Sequence, residues 1–85
     1  MTNGLIRSFI LNHFPLAKKV LIKDDDSLLE SGIVDSLGIL DIVNFIEKEF
    51  KISVSDEELL PENFESICAL TAFVDRKRNK AELNL

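Results

Sequence analysis

The chain has 85 residues, of which 46% are hydrophobic, and its formal net charge is −5. A chain of this length forms one domain around one small core, which leaves little room for a deep catalytic cavity. The length therefore favours a binding or carrier module over an enzyme, and no catalytic residues are predicted. We expect a single domain over residues 1–85, with an ordered core over about 2–78 and a frayed tail over 79–85.

The charge is distributed unevenly along the chain. Residues 1–23 hold four cations and no acid, residues 24–66 hold 13 acids and two lysines, and residues 67–85 hold four cations and two acids. Nucleic acid would need a basic face, so the acidic middle argues against it as a partner. Partner proteins with basic surfaces are favoured instead. A well-solvated surface without a partner is the simpler alternative.

Cysteine content and hydropathy bear on the compartment. Cys68 is the single cysteine, so an internal disulfide is impossible, and a reducing compartment is expected. No apolar stretch approaches the roughly 20 residues of a membrane span, and no signal-peptide pattern is seen. The sequence thus predicts a cytoplasmic monomer without a membrane span.

The first half of the chain contains one clear helix and one long connection. Apolar residues recur at helical spacing from Thr2 to Phe14, and Pro15 ends the helix because the residue before a proline leaves the helical region. Residues 15–35 show no clear helical period and are predicted to form a long loop that packs on the core. The apolar residues expected to fold back are Leu16, Val20, Leu21, Ile22, Leu28, Leu29 and Ile33.

The second half contains two more helices. One is predicted from Asp35 or Ser36 to Phe50, and another from Ser66, as N-cap, to about Arg78. A short helical turn is expected between them, so the fold class is all-α: a small four-helix bundle of three main helices and one short one, with a long loop between helices 1 and 2. The core stripe of the second main helix comprises Ile39, Ile42, Val43, Ile46 and Phe50, which leaves Leu37 and Leu40 at the edge or in solvent.

The stretch 32–38, Gly-Ile-Val-Asp-Ser-Leu-Gly, places the Ser36 hydroxyl at a helix N-terminus. The unpaired N–H groups and the partial positive charge there favour a covalently linked phosphate. Asp and Ser are also common N-caps, so an Asp-Ser-Leu tripeptide alone is equally explained as a simple helix cap.

The chain resembles the acyl carrier protein family, which includes peptidyl, aminoacyl and D-alanyl carrier domains. The tripeptide is weak by itself, but the ordered set of segments is specific. The resemblance covers about residues 2–78 and rests on 32–38, 46–50, 61–67, Leu70 and 73–74.

The resemblance implies a function. In the family, the serine of Asp-Ser-Leu receives 4′-phosphopantetheine from coenzyme A through a separate, Mg²⁺-using phosphopantetheinyl transferase. Ser36 is thus the implied attachment site, Asp35 and Leu37 are its motif neighbours, and Asp35 is implied to help position the transferase's metal. The arm would carry acyl or aminoacyl thioesters to loading and processing enzymes in fatty acid, polyketide or related specialised biosynthesis. The family also implies transient shelter of an aliphatic cargo between the helices.

The resemblance also implies a docking face on the helix after the serine, for basic partner surfaces. Many carriers of fatty acid synthesis have an acid directly after Asp-Ser-Leu and more acids along this helix, whereas here Gly38, Asn44 and Lys48 stand there. This departure argues against housekeeping fatty acid synthesis and favours a specialised carrier. The implied docking residues are Leu37, Leu40, Asp41, Asn44, Glu47 and Lys48.

Other residues of the chain bear on a metal site and on a catalytic nucleophile. Residues 24–26 begin like a calcium-binding loop, but Leu28 and Leu29 occupy positions that need a ligand and a glycine, so no metal site is predicted. His13 is expected to be a partly buried structural residue, and Cys68 a semi-buried one rather than a nucleophile.

Two rival functions remain open. The chain could be a helical adaptor for protein–protein interaction without a prosthetic group, in which Ser36 is only a cap. A weaker rival is a regulator that binds divalent ions through its acidic loops.

Overall fold

The computed structural model describes residues 2–83, with side chains as far as Asn79. These residues form helices and loops without a strand, which confirms the predicted all-α fold with a long connection between the first two main helices. The elements are α1 (Thr2–His13), α2 (Pro15–Lys19), α3 (Ser36–Phe50), a 3₁₀ helix (Asp56–Glu58), α4 (Pro61–Phe64) and α5 (Ile67–Leu83).

The boundaries of the main helices follow from local signals. The predicted N-cap of α5 is confirmed, because the Ala69 N–H donates to Ser66 Oγ at 3.0 Å. The predicted end of this helix near Arg78 is wrong, since α5 continues to Leu83. Residues 84–85 of the expected frayed tail lie outside the described residues.

The short helix α2 lies within residues 15–35, for which the sequence predicts a loop without helical structure. Pro15 occupies its first turn, where the fixed φ of proline suits a helix and the missing N–H costs nothing. One buried residue, Ala17, anchors it. Beyond α2 the chain turns at Leu21, whose φ of 51° is left-handed.

The loop from Val20 to Asp35 is tied to the helix pair α4–α5 by its backbone. The Leu28 N–H donates to the Glu65 carbonyl at 2.7 Å, and the Cys68 N–H donates to the Asp24 carbonyl at 2.8 Å. The Arg7 guanidinium on α1 holds the Asp24 carboxylate at 2.8 Å. These bonds keep the segment before α3 in one conformation.

Only part of the loop packs on the core as predicted. Ile22, Leu28 and Ile33 are buried, as expected. The prediction is wrong for the remaining four, because the short helix and the turn after it direct Leu16, Val20 and Leu21 to the surface, and Leu29 lies at the surface of the loop. The exposed residues are Leu16, Val20, Leu21 and Leu29.

The core is one continuous cluster among α1, α3, α4, α5 and the loop. On α3, Ile42 and Ile46 are fully buried, while Leu37 and Leu40 remain 74% and 53% exposed, as the helical period predicts. The buried apolar residues are Ile6, Ile10, Ala17, Ile22, Leu28, Ile33, Val34, Ile42, Ile46, Phe64, Ile67, Leu70, Phe73 and Val74.

An ion pair joins the 3₁₀ helix to α5. Lys77 Nζ lies 2.7 Å from Glu58 Oε1, and both side chains are less than a third exposed. The hydrogen bond from Lys77 is the main cause that lowers the pKa of Glu58, and the Ser55 backbone N–H adds to it. Because the pKa in the folded state lies below the value in the unfolded chain, this contribution to stability is present above the unfolded pKa and is lost as the pH falls through the folded pKa.

We therefore expect Glu58→Gln to lower the free energy of unfolding at pH 7 by about 0.5–1 kcal/mol. The difference from the parent should shrink as the pH falls through the lowered pKa of Glu58, because the parent carboxylate is then protonated as well. Urea unfolding at pH 7 and pH 3 measures it. Glu57→Gln, in the same 3₁₀ helix but exposed, is the matched control. An equal loss at both pH values would contradict this account.

Candidate functional site

Ser36 is the first residue of α3, and its neighbour Asp35 is the N-cap. Asp35 has an extended backbone, and its Oδ1 accepts a hydrogen bond from the Gly38 N–H at 2.8 Å. Asp35 thus performs the capping role that either residue could have had. Ser36 is exposed, and no hydrogen bond among the described residues uses its hydroxyl. The reading of Ser36 as a simple cap is therefore wrong.

The chain reaches this position through a buried segment. Gly32, at φ 80°, turns the chain in the left-handed region that favours glycine. Ile33 and Val34 are then buried, and the Val34 N–H donates to the Leu28 carbonyl at 3.0 Å. Asp35, the next residue, is at the surface. The two buried residues therefore fix the point at which the chain emerges and α3 begins.

Gly38 allows a close contact between α3 and the end of α1. A Cβ atom at this position would lie 2.9 Å from Cε1 of Phe14 and 3.0 Å from Cγ1 of Val34. The acid that many carriers have here would meet the same atoms. The glycine therefore reflects the packing of the Phe14 ring against the first turn of α3.

The start of α3 suits a phosphate ester. The N–H groups of its first turn have no partner within the helix, and the helix dipole places partial positive charge there. The Asp35 cap uses the Gly38 N–H and leaves those of Ser36 and Leu37 without a partner among the described residues. An exposed primary alcohol beside such N–H groups has the chemistry needed to hold 4′-phosphopantetheine.

An apolar cleft of about 230 Å³ lies directly beside Ser36. Its walls come from the loop before α3, from the first turn of α3 and from the segment around α4. Ser36 is the only polar residue in the lining, which also comprises Leu29, Ile39, Leu59, Leu60, Pro61 and Phe64. The sequence did not reveal this cleft, because the three segments are distant in the chain.

The predicted docking residues have different environments. Leu37, Leu40, Asn44 and Lys48 are exposed. The Glu47 carboxylate is half-buried and accepts the Val54 N–H at 2.9 Å, so it holds the loop after α3.

Asp41, the remaining predicted docking residue, is paired with His13. His13 Nε2 lies 3.0 Å from Asp41 Oδ2, and the imidazole stacks on Phe9. The expectation of a partly buried, structural His13 agrees with its ring packing on Phe9 and Phe14, while 45% of its side chain is exposed. The expectation of a semi-buried Cys68 is wrong, since it is exposed.

The acidic loops show no constellation suited to a metal. Among the described residues, no group of three His, Cys, Asp or Glu side chains is placed to hold an ion. The Asp24 carboxylate binds Arg7 and Asn3.

Among the residues that the structure describes, no helix has the length and hydropathy needed to cross a bilayer.

Comparisons with known proteins agree with this geometry. The sequence model of the family described as "Phosphopantetheine attachment site" matches residues 16–74. The probable acyl carrier protein PigG of Serratia sp. (strain ATCC 39006) is 32% identical over 82 residues, which are 92% of this chain and 94% of that protein. A chain in a structure titled "Crystal structure of FAD-dependent dehydrogenase" superimposes with a TM-score of 0.72 and 28% identity, over 81% of this chain and 97% of the other.

The match over residues 16–74 and the 32% identity to an acyl carrier protein show that the chain is a phosphopantetheine-binding carrier, in agreement with its all-helical fold. The chain belongs to the acyl carrier protein family. It is a carrier rather than an enzyme, and its prosthetic group is covalently attached 4′-phosphopantetheine. The rival interpretation as an adaptor without a prosthetic group is thereby set aside.

The contact between Gly38 and Phe14 predicts opposite effects for two glycine-to-alanine substitutions. Gly4→Ala on α1, where nothing lies within 4 Å of an added Cβ, should stabilise the protein by about 0.5–1 kcal/mol. Gly38→Ala should destabilise it by about 1 kcal/mol, because the cost of overpacking exceeds the gain in helix propensity.

Urea unfolding of both variants measures these changes. Phe14→Leu should relieve most of the cost of Gly38→Ala in the double variant, since it removes the atoms that the new methyl group meets. Additive effects of the two substitutions would contradict the role given to this contact.

Proposed function

We propose that Ser36 is the residue that receives 4′-phosphopantetheine. The observation that carries this proposal is the division of roles at the start of α3: Asp35 caps the helix, and the exposed Ser36 hydroxyl is left free. In the reaction, Ser36 Oγ attacks the coenzyme A phosphorus that carries the pantetheine. The phosphoanhydride bond breaks, 3′,5′-adenosine diphosphate leaves, and the hydroxyl proton passes to the transferase.

The attached group supplies a terminal thiol, which holds an acyl or aminoacyl cargo as a thioester. The protein's own residues hold the phosphate end. The first-turn N–H groups of α3 stabilise its negative charge, and the bonds of the preceding loop keep its anchor point fixed. The carrier then presents its cargo to partner enzymes in fatty acid, polyketide or related specialised biosynthesis.

The docking surface of this proposal lies on α3. It combines two exposed leucines with charged and polar neighbours, which is typical of a transient interface that forms and dissociates quickly. Basic partner surfaces would meet Asp41, whose Oδ2 lies 3.0 Å from His13 Nε2. The surface consists of Leu37, Leu40, Asp41, Asn44 and Lys48, with Glu47 at its inner edge.

We also propose that the carrier is a monomer and that it acts in the cytoplasm.

Helix α3 is less acidic than the corresponding helix of housekeeping carriers, because it has Gly38, Asn44 and Lys48 where many of those carriers have acids. This difference supports a specialised pathway.

The solved structure that superimposes on this chain suggests a first class of partner to test. Its matched chain is shorter than this one, and its structure is titled as that of an FAD-dependent dehydrogenase. A flavin-dependent dehydrogenase that oxidises the carried group is thus a candidate partner.

The attachment is tested by intact mass after incubation of the apo protein with coenzyme A, Mg²⁺ and a broad-specificity phosphopantetheinyl transferase. We expect the mass to rise by one phosphopantetheinyl group. Ser36→Ala should abolish the rise, whereas Ser31→Ala, at another exposed serine in the same region, should retain it.

Ser36→Ala should also keep its free energy of unfolding within about 0.5 kcal/mol of the parent, because Asp35 provides the cap. A folded Ser36→Ala protein that still gains the group would place the attachment elsewhere.

The docking surface is tested by the kinetics of the same transferase. Leu40→Ser should lower kcat/KM about tenfold, which corresponds to about 1.4 kcal/mol for an apolar anchor in an interface. Leu21→Ser removes an even more exposed leucine, on the turn after α2, and should leave kcat/KM unchanged. Equal effects of the two substitutions would contradict the assignment of docking to α3.

A further inference from the structure

We propose that a hollow between α1 and α2 is a second docking surface, which receives an acidic segment of a partner protein together with one large apolar side chain of that segment. This inference goes beyond the proposed function, because the hollow shares no residue with the docking surface on α3 or with the cleft beside Ser36. The volume of the hollow is about 280 Å³. Its lining consists of Arg7, Leu11, Ala17, Lys18, Leu21 and Ile22.

The turn that forms one side of the hollow is a Schellman motif at the end of α2. The Ile22 N–H donates to the Ala17 carbonyl at 3.3 Å, and the Leu21 N–H donates to the Lys18 carbonyl at 3.4 Å. Leu21 occupies the left-handed position of this motif, with a φ of 51°. Glycine is the usual residue there, because a Cβ atom is unfavourable in the left-handed region.

The side chain of Leu21 does not compensate for this backbone strain by packing. It is 81% exposed, whereas Ala17 and Ile22, the apolar ends of the motif, are 0% and 1% exposed. Strained backbone positions occur preferentially at functional sites, where something other than the fold maintains them. A large apolar side chain held in solvent at a cost to stability points to contact with another molecule.

The charge at the hollow is positive. Lys18 is part of the lining, Lys19 follows it in the chain, and both are exposed. None of the ion pairs among the described residues uses either lysine. Arg7, the other cation of the lining, is bound to Asp24. The lining contains no acid, so a carboxylate from outside is the group that complements Lys18 and Lys19.

The shape of the hollow favours an inserted side chain. Buried Ala17 and Ile22 form an apolar floor, and a cavity of about 150 Å³ already holds a benzene ring. The hollow therefore has room for one leucine or phenylalanine side chain, which is the usual form of an anchor in a protein interface. A bilayer surface would leave the concave floor unfilled, and an anionic one would repel the acidic residues 24–66.

The two docking surfaces differ in charge. The surface on α3 offers Asp41 to basic partners, whereas the hollow offers Lys18 and Lys19 to acidic ones. A partner surface that suits one of them is therefore repelled by the other, which separates the two classes of partner. Since the surfaces have no residue in common, a partner at the hollow leaves the residues of the α3 surface uncovered.

The probe for this surface is the acetylated and amidated octapeptide Glu-Glu-Glu-Phe-Leu-Glu-Glu-Glu, titrated into the ¹⁵N-labelled full chain. We expect saturable shifts of the amide signals of Leu11, Lys18, Leu21 and Ile22. One control peptide has Gln in place of each Glu, and another has Ser-Ser in place of Phe-Leu. Each control should bind about tenfold more weakly, because it lacks either the charge or the apolar anchor.

The variant Leu21→Gly separates a binding role from a structural one. It should raise the melting temperature by about 2–6 °C, because glycine relieves the left-handed strain, and it should weaken peptide binding about tenfold. Lys18→Glu should weaken binding to a similar extent. Arg76→Glu makes the same change in net charge on the exposed face of α5, and it should leave binding unchanged. Circular dichroism checks that each variant is folded.

The proposal is overturned if Leu21→Gly or Lys18→Glu binds the peptide as the parent does, or if the shifts fall on Leu37 and Leu40 instead. Sedimentation with vesicles of phosphatidylcholine and about 30% phosphatidylserine tests a membrane, and we expect no binding. Vesicle binding that Lys18→Glu abolishes would assign the hollow to a membrane. Shifts of the hollow's signals with the concentration of the free protein would assign it to a second copy of this chain. Either result would overturn the assignment to an acidic partner protein.

Discussion

The hydrogen bond from the Gly38 N–H to Asp35 Oδ1 sets the start of α3, and the functional site depends on it. With the cap at Asp35, the following hydroxyl lies inside the first turn, where it makes no structural bond. A cap one residue later would engage the Ser36 side chain in the helix and remove it from chemistry. The Asp-Ser order thus separates the residue that stabilises the helix from the residue proposed to be modified.

The position of this cap is maintained from both sides of the site. The loop before it is hydrogen-bonded through its backbone to Glu65 and Cys68, and the buried pair Ile33–Val34 leads directly into Asp35. From the other side, the Phe14 ring packs against Gly38 and leaves no space for a side chain there. These contacts give the proposed attachment atom, Ser36 Oγ, a defined position at the start of α3.

The parts of the structure that could be predicted from the sequence are those with local causes. The start and end of α3 follow from a cap residue and a helical period, and the Ser66 cap of α5 is equally local. α2 escaped prediction because five residues are too few for a period to be recognised.

Long-range contacts account for the other differences. The contact of His13 with Asp41 escaped prediction because it depends on how α1 lies against α3, and the two residues are 28 positions apart in the chain. The cleft beside Ser36 escaped prediction for the same reason, since its walls come from segments that meet only in the fold. The motif could indicate which hydroxyl is the candidate for modification, but the surroundings of that hydroxyl depend on the packing of the whole chain.

The exposed leucines around Ser36 are compatible with a stable small domain because the core is complete without them. Fourteen buried apolar residues connect α1, α3, α4, α5 and the long loop. Leu37 and Leu40 lie on the opposite face of α3 from the fully buried Ile42 and Ile46, so their exposure does not open the core. Isolated exposed leucines are ordinary, but leucines on three segments around one exposed hydroxyl form an apolar surface of the kind that marks an interaction site. The two leucines of α3 are outside the lining of the cleft beside Ser36, so the proposed docking surface and the cleft are adjoining but separate apolar surfaces.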